Sequence, residues 1–297
     1  MSDMVWLITG ASSGFGKAIA LEALRRGHKV VATARNSAKL SDVKQAGAAI
    51  MDLDVTSDEE TLTAKLAGAN AIYGKITHVA NAAGYLLEGT IEEASNKEVF
   101  DTFNTNVFGT FNIARASAPH LRAAAAASPG RSVALATFGS IGSWRSGPAV
   151  AHYCSTKWAV SGLTEGLREE LAPFSIDVTV VEPGYVRTGF LSRDGGDEHR
   201  FQTARHLEDV YGEGTEAAAH RAALQAYNRN QPGDVNKCAS VIVDVLTKEG
   251  VGKGKEVPLR LVLGTDAYET IKGKCDDTLK LLADWEHVIK STMRDDA

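Results

Sequence analysis

The five residues Val-Trp-Leu-Ile-Thr at positions 5–9 run without a break into Gly10-Ala-Ser12-Ser13-Gly14-Phe15-Gly16, and that loop runs into KAIALEALRR. The first run is short and apolar, as a strand covered on both faces must be, and the last repeats its apolar residues at helical spacing. Strand, glycine turn and helix laid end to end leave few folds open to the chain. Glycines in such a turn let backbone come close to a pyrophosphate, whose charge the helix N-terminus meets. Glycine-rich turns are common, so the evidence lies in the placement between strand and helix.

The same alternation continues. Apolar runs predict further strands at 28–34, 48–55, 76–80, 132–138, 176–181 and 259–263. Helical periodicity fills the gaps at 59–71, 95–118, 123–127, 158–171 and 234–248, with 278–293 as a closing helix that sets Leu279, Leu282, Trp285 and Ile289 on one face. Helices between apolar strands imply right-handed crossovers and one parallel sheet of about seven strands covered on both faces. The fold class is therefore α/β, a single Rossmann-type doubly wound domain over residues 1–297. Residues 185–232 break the rhythm with Gly195-Gly196, Gly212, Gly214, many charges and helical stretches without intervening strands. An insertion after the sixth strand overhangs the ligand crevice, which suits a substrate lid, the competing reading being a surface decoration. A helical tail covers about 264–297.

Composition narrows the function. With a net charge of −5 and no dense Lys/Arg cluster, the chain offers no footprint for nucleic acid or for a membrane surface. No apolar run reaches the roughly 18 residues of a membrane span. Cys154, Cys238 and Cys275 are odd in number and widely spaced, which suits reduced thiols in the cytoplasm, and no metal-ligand spacing stands out.

Four places carry candidate chemistry. The second strand ends Ala34-Arg35-Asn36, and no acidic residue occurs between Lys29 and Ser41. An acid there would favour the 2′-hydroxyl of NAD, whereas an arginine can take the 2′-phosphate of NADP, so NADP(H) is expected over NAD(H) with Arg35 as the contact. The fourth strand ends in Asn81-Ala82-Ala-Gly84, small residues that let a flat ligand approach backbone, although a purely structural turn reads the same way. Asn106 interrupts the 95–118 helix, and a mid-helix asparagine suggests a kink that presents a carbonyl or amide to a proton relay. Finally, Tyr153 and Lys157 stand one helical turn apart, with Ser140 just past the fifth strand. An ammonium fixed beside a phenol lowers its pKa and makes it a working acid or base. Such a pair is often only a half-buried tyrosine beside a snorkelling lysine, so the other motifs must decide.

Together these motifs resemble the classical short-chain dehydrogenase/reductase family over about residues 4–263. The resemblance rests on Thr9, Gly10, Gly14 and Gly16 as T-G-x-x-x-G-x-G, on N-A-A-G at Asn81–Gly84 where N-N-A-G is usual, and on Asn106. It rests also on Ser140, Tyr153 and Lys157 at the family's spacing, and on Pro183-Gly184 with a following Thr188. It implies reversible hydride transfer between a nicotinamide and a carbonyl or alcohol. Tyr153 would be the acid/base, Ser140 would orient the carbonyl, Lys157 would lower the tyrosine pKa and hold the nicotinamide ribose, and Asn106 would serve a proton relay. It also implies cofactor contacts from the glycine loop, from Asp54 and Val55 near the adenine, from Asn81, Ala82 and Gly84 beside a ribose, and from Pro183, Gly184, Val186 and Thr188 near the carboxamide. A looser likeness, in the tail and in the segment after EPGYVRTGFL, points to the branch of 17β-hydroxysteroid- and retinol-type enzymes, and so to a fairly apolar small-molecule substrate. A homodimer or homotetramer is a further implication. An isomerase or dehydratase on the same scaffold, or a dinucleotide-sensing protein without chemistry, remain the alternatives.

Overall fold

The computed structural model describes residues 3–192 and 199–294; the Gly195-Gly196 pair lies outside them. In chain order the elements are β1 Val5–Thr9, α1 Gly14–Arg25, β2 Lys29–Ala34, α2 Ser41–Gln45, β3 Ala49–Asp52, α3 Glu59–Tyr73, β4 His78–Asn81 and β5 Leu86–Glu88. There follow α4 Asn96–Phe103, α5 Gly109–Ala127, β6 Ala134–Phe138, α6 Ala151–Leu171, β7 Asp177–Pro183 and β8 Val186–Arg187. The chain ends with β9 Arg200–Gln202, α7 Glu208–Tyr211, α8 Glu216–Tyr227, β10 Gly233–Asp234, α9 Val235–Thr247, β11 Arg260–Leu263, α10 Thr265–Asp284 and α11 Glu286–Lys290.

Seven strands form one parallel sheet in the order β11-β7-β6-β4-β1-β2-β3. Successive residues of a strand point to opposite faces, and β1 illustrates the result. Trp6 and Ile8 pack on one face with Ile19, Val30, Ile242 and Leu246, while Leu7 packs on the other with Leu66, Val79, Ile113, Leu121 and Leu135. Both faces are dry, which is why the strands read as unbroken apolar runs rather than alternating ones. The chain leaves β1 toward β2 and β3 and returns on its other side at β4, so strand order reverses between β1 and β4. A crevice opens at the carboxyl ends of such a pair.

Several sequence expectations need correction. The third strand stops at Asp52, three residues early, because Leu53–Val55 turn to face the crevice. The helix predicted over 95–118 is α4 and α5 joined by a π-helical turn, Asn104–Phe108, which contains Asn106. Residues 185–232 do contain strands: β9 pairs in parallel with β5, and β10 with β8. The tail helix begins at Thr265 and breaks at Trp285, and Leu279, Leu282, Trp285 and Ile289 are all exposed rather than closing the core. Helical spacing aligns apolar residues on one face but cannot say whether anything covers them.

The turn after β1 is closely packed against the start of α1. Gly10 has φ +63°, a left-handed conformation that glycine adopts without strain. A β-carbon added at Gly16 would lie 2.7 Å from the Gly10 carbonyl carbon and overlap its oxygen, both of them backbone atoms that cannot swing aside. Gly16→Ala should therefore lower stability by about 1–3 kcal/mol, the usual cost of overpacking, read as a reduced denaturant midpoint. An unchanged midpoint would show that α1 slides freely on β1.

Candidate active site

One continuous cavity of about 820 Å³ runs from the glycine loop, across the carboxyl ends of β1, β4 and β6, to the residues that follow β7. At one end lie Gly10, Ser12, Ser13, Gly14, Phe15 and Gly16, with Arg35 exposed at the rim and Asp54 and Val55 beside it. Asp54 is held in place because its Oδ1 accepts from both the Thr56 amide (2.9 Å) and the Thr56 hydroxyl (2.8 Å). Ala82 and Gly84 form the floor, and Pro183, Gly184, Val186 and Thr188 form the wall opposite. Ser140, Tyr153 and Lys157 line the middle.

Local structure fixes these three side chains. Ser140 follows β6 in extended backbone and caps a short 3-10 turn, its Oγ accepting from the Gly142 amide at 3.1 Å. Tyr153 and Lys157 occupy the first two turns of α6, one above the other. The Ser140 hydroxyl and the Tyr153 ring are neighbours: a β-carbon at Gly142 would lie 3.5 Å from Ser140 Oγ and 3.6 Å from Tyr153 Cε1. Lys157 Nζ donates to the Phe138 carbonyl at 2.8 Å and stands 5.6 Å from the centre of the Tyr153 ring. An ammonium has three donors, so this bond leaves others for a ligand. Behind them Ser143 Oγ donates to the Lys157 carbonyl (2.9 Å), and the fully buried Glu182 accepts from Trp144 Nε1 (2.8 Å), Ser161 Oγ (2.9 Å) and Arg260 Nη1 (2.5 Å).

The electrostatics differ from the sequence expectation. Burial pushes the Tyr153 phenol well above its ordinary value, and the nearby Ser140 hydroxyl offsets this only in part. Burial also pulls the Lys157 ammonium down, to about 8. In the chain by itself, desolvation of the phenolate outweighs any help from the lysine, because Lys157 spends its bond on a carbonyl and stands beside the ring. The expected lowering of the phenol is therefore corrected.

Two predicted residues are not among the described residues that line the cavity. The Asn81 side chain is turned inward: its Oδ1 accepts from Thr9 Oγ1 at 2.7 Å, and its Nδ2 donates to the Thr110 carbonyl at 3.3 Å. Thr9 Oγ1 in turn accepts from the Ala83 amide (3.2 Å), so Asn81 ties β1, α5 and the N-A-A-G turn together rather than offering its side chain to a ligand. Asn106 sits in the π-helical turn as a buried residue. Its Oδ1 accepts from the Tyr85 amide (3.0 Å), while its Nδ2 donates to the Tyr85 carbonyl (2.9 Å) and to Thr156 Oγ1 (3.1 Å). Both ends of the side-chain amide are engaged with protein groups, and the backbone carbonyl accepts from Thr110 Oγ1 (2.8 Å).

Other cavity residues carried no sequence signal. Tyr85, Leu86, Val150, Tyr185, Phe190, Leu191, Leu224 and Tyr227 build an apolar wall around Tyr153, with Tyr185 stacked on Tyr227 at 4.6 Å between ring centres. His199 Nε2 lies 2.7 Å from Ser13 Oγ and joins the glycine loop to the segment after β7. Asp266 Oδ2 accepts from the Tyr185 amide at 2.6 Å and anchors the wall to α10.

The cavity's chemistry fits a dinucleotide. A β-carbon at Gly10 would lie 3.0 Å from the backbone of Ala82 and Ala83, and one at Gly84 would lie 3.1 Å from Asn106 Oδ1, so a side chain at either position would press on the turns that line the cavity. The Ser13 side chain makes no capping bond and α1 carries no acid in its first turn, which leaves the helix N-terminus open to an anion. Among the described residues no helix is long and apolar enough to cross a membrane, and no cluster of His, Cys, Asp and Glu could hold a metal ion.

Comparison with known proteins agrees with this geometry. The family described as short chain dehydrogenase matches residues 4–198. Oxidoreductase BOA17 of Botryotinia fuckeliana is 32% identical over 279 residues, covering 93% of this chain and 93% of that protein. Oxidoreductase claN of Passalora fulva is 40% identical over 192 residues, covering 63% of this chain and 84% of that protein. The crystal structure of a short-chain dehydrogenase from Streptomyces avermitilis superposes with a TM-score of 0.83 at 34% identity, covering 98% of this chain and 100% of that one.

The buried lysine generates a stability prediction. Its folded pKa of about 8 lies below the 10.5 of a free lysine, so the unfolded chain binds more protons between those values. Burial of the ammonium thus opposes folding below pH 8, and the opposition fades as pH rises from 8 toward 10.5. Relative to Lys157→Met, the wild-type chain should gain up to roughly 3 kcal/mol over that interval, measured by denaturant unfolding at stepped pH. Parallel pH profiles for the two proteins would overturn the assignment of a desolvated ammonium.

Proposed function

The chain belongs to the short-chain dehydrogenase family and is an oxidoreductase of it, and from that premise we propose an NADP(H)-dependent enzyme acting on a carbonyl or secondary alcohol of a fairly apolar small molecule. The observation that carries the reading is the convergence of Ser140, Tyr153 and Lys157 on the middle of one cavity whose far end is the open α1 N-terminus. The bound nicotinamide would supply or accept the hydride, and everything else falls to the side chains. Ser140 and Tyr153, neighbours in the cavity lining, would receive the substrate oxygen between them. A phenol held protonated by burial can donate its proton as negative charge develops on that oxygen in the reduction direction.

Lys157 would hold the nicotinamide ribose with the donors it does not spend on Phe138, and its charge would help the phenolate once the proton has left. The Asn106 side chain is not available to a relay. Its carbonyl, with a second lone pair beyond the Thr110 bond, is the atom we assign to a water that returns the proton. Residues 185–232 serve as the lid of a single domain, and their aromatic and aliphatic contribution to the wall supports an apolar substrate. Localisation in the cytoplasm accords with three free thiols.

Two substitutions test this. Tyr153→Phe should lower kcat for ketone reduction by about 10²–10⁴-fold, the range of general acid catalysis, with little change in NADPH affinity. Retention of most activity would remove Tyr153 from the acid role. Arg35→Asp should cost NADPH about 10–100-fold in Kd, the loss of a charge-assisted bond, while NADH improves. Unchanged discrimination between the two cofactors would refute the assignment of Arg35 to the 2′-phosphate.

A further inference from the structure

Gln231 stands out in the cavity wall. It is only 1% exposed, yet neither Nε2 nor Oε1 of its side chain has a hydrogen-bond partner. Among the described residues it is the only side chain with both polar ends buried and unpaired. Nearby side chains have partners: Ser192 Oγ donates to Asn228 Oδ1 (3.2 Å), Arg200 Nη1 to Gln225 Oε1 (3.3 Å), and His220 Nδ1 lies 2.6 Å from the Pro148 carbonyl, while Arg221 Nε lacks a hydrogen bond but stands 3.7 Å from Glu88 Oε1. The backbone at Gln231 is fixed as well. Its carbonyl accepts from Arg187 Nε at 3.3 Å, and two residues on, Gly233 donates to the Tyr185 carbonyl at 3.0 Å as β10 pairs with β8. Buried amides without partners are rare in native proteins; both polar atoms of Gln231 are closed off in this rotamer, and rotation of the side chain toward the cavity it lines would give the amide a ligand group as partner.

We propose that Gln231 is a specificity-determining residue whose side-chain amide pairs with a second polar group of the substrate, a hydroxyl or carboxamide remote from the reacting carbonyl. This rests on the hydride-transfer reading above and narrows its substrate class. An amide presents one acceptor and a donor group side by side, so its complement must both accept and donate. A hydroxyl or a carboxamide does so; an ether or a second ketone satisfies one end only, and a carboxylate repels Oε1. The substrate is thus an apolar skeleton with polar functions at two points, one read by Tyr153 and Ser140 and the other by Gln231. A buried polar group rejects an analogue that leaves it unpaired, so the amide selects against the plain ketone. The nicotinamide carboxamide has the same donor and acceptor chemistry, and the experiment separates the two sources.

The test is calorimetric binding of 2-alkanones and the matching ω-hydroxy-2-alkanones, six to twelve carbons long, to the enzyme loaded with NADP⁺, which cannot reduce them. Wild-type protein should bind the hydroxylated ketone at least about tenfold tighter at one chain length or more, and Gln231→Leu and the near-isosteric Gln231→Met should bring that ratio to about one without lowering the melting temperature. No preference at any length, or a preference that survives in both variants, overturns the proposal. So does a weakened NADP⁺ affinity with the ketone ratio intact, which would give the amide to the cofactor. Preference in binding without NADPH-driven turnover of either ketone would uphold the inference and strike the hydride-transfer reading instead.

Discussion

The structure depends on a contact with no room for a methyl group. Where α1 crosses the end of β1, Gly16 lies against the Gly10 carbonyl, and any larger residue would push helix from strand. That approach sets the height of the α1 N-terminus above the sheet, and hence where an anion can be met. The Gly10 side of the turn abuts Ala82 and Ala83, so the same contact fixes the floor of the cavity through the turn after β4. Asn81 and Thr9 lock that floor from behind. The glycine-loop end of the cavity is therefore set largely by backbone, through residues too small to interfere.

The chemical centre works on the opposite principle, through side chains taken out of water. Lys157 and Tyr153 are both buried, and burial disfavours the charged form of each, raising the phenol and lowering the ammonium. The pair is poised as a neutral acid beside a weakened cation. Charge is costly there until a ligand brings compensating dipoles, and in the proposed reaction those would be met as the substrate oxygen gains charge. Glu182 contributes from the second layer: with three donors on its carboxylate it holds β7, the Trp144 turn and α6 in one register.

Much of this was legible in the sequence because it is local. The strand–turn–helix at 5–25, the Tyr153–Lys157 spacing and the disturbance at Asn106 depend on neighbours a few residues away, and the structure returns them as β1 with α1, as the face of α6, and as a π-helical turn. What sequence could not give was set by partners far along the chain. Asn81 looks the same in sequence whether its amide faces a ribose or Thr9. The pKa direction of Tyr153 follows from how completely Phe190, Leu191 and Leu224 exclude water, and those residues come from a segment without a motif. The apolar stripe of 278–293 has perfect helical spacing and still lies exposed, since periodicity predicts a face and not its cover.

The segment after β7 shows how specificity can be written without a motif. Its strand β9 is held on β5 by main-chain bonds and by an ion pair between Arg200 and Glu88, both almost fully buried, with Gln202 Nε2 donating to the other Glu88 oxygen at 2.7 Å. Arg221 of α8 pairs with Glu93, whose carboxylate also accepts from the Thr90 amide (2.8 Å) and the Leu207 amide (3.1 Å). Buried charges of this kind add little net stability over apolar packing, but an unpaired one is severely penalised, so they reject misaligned arrangements. The wall can thus be apolar where it faces Tyr153 and still hold one register against the sheet, because its alignment is fixed by ions on its outer side. That division leaves the inner surface free to vary in sequence while the face of α6 that carries Tyr153 and Lys157 stays where the sheet puts it.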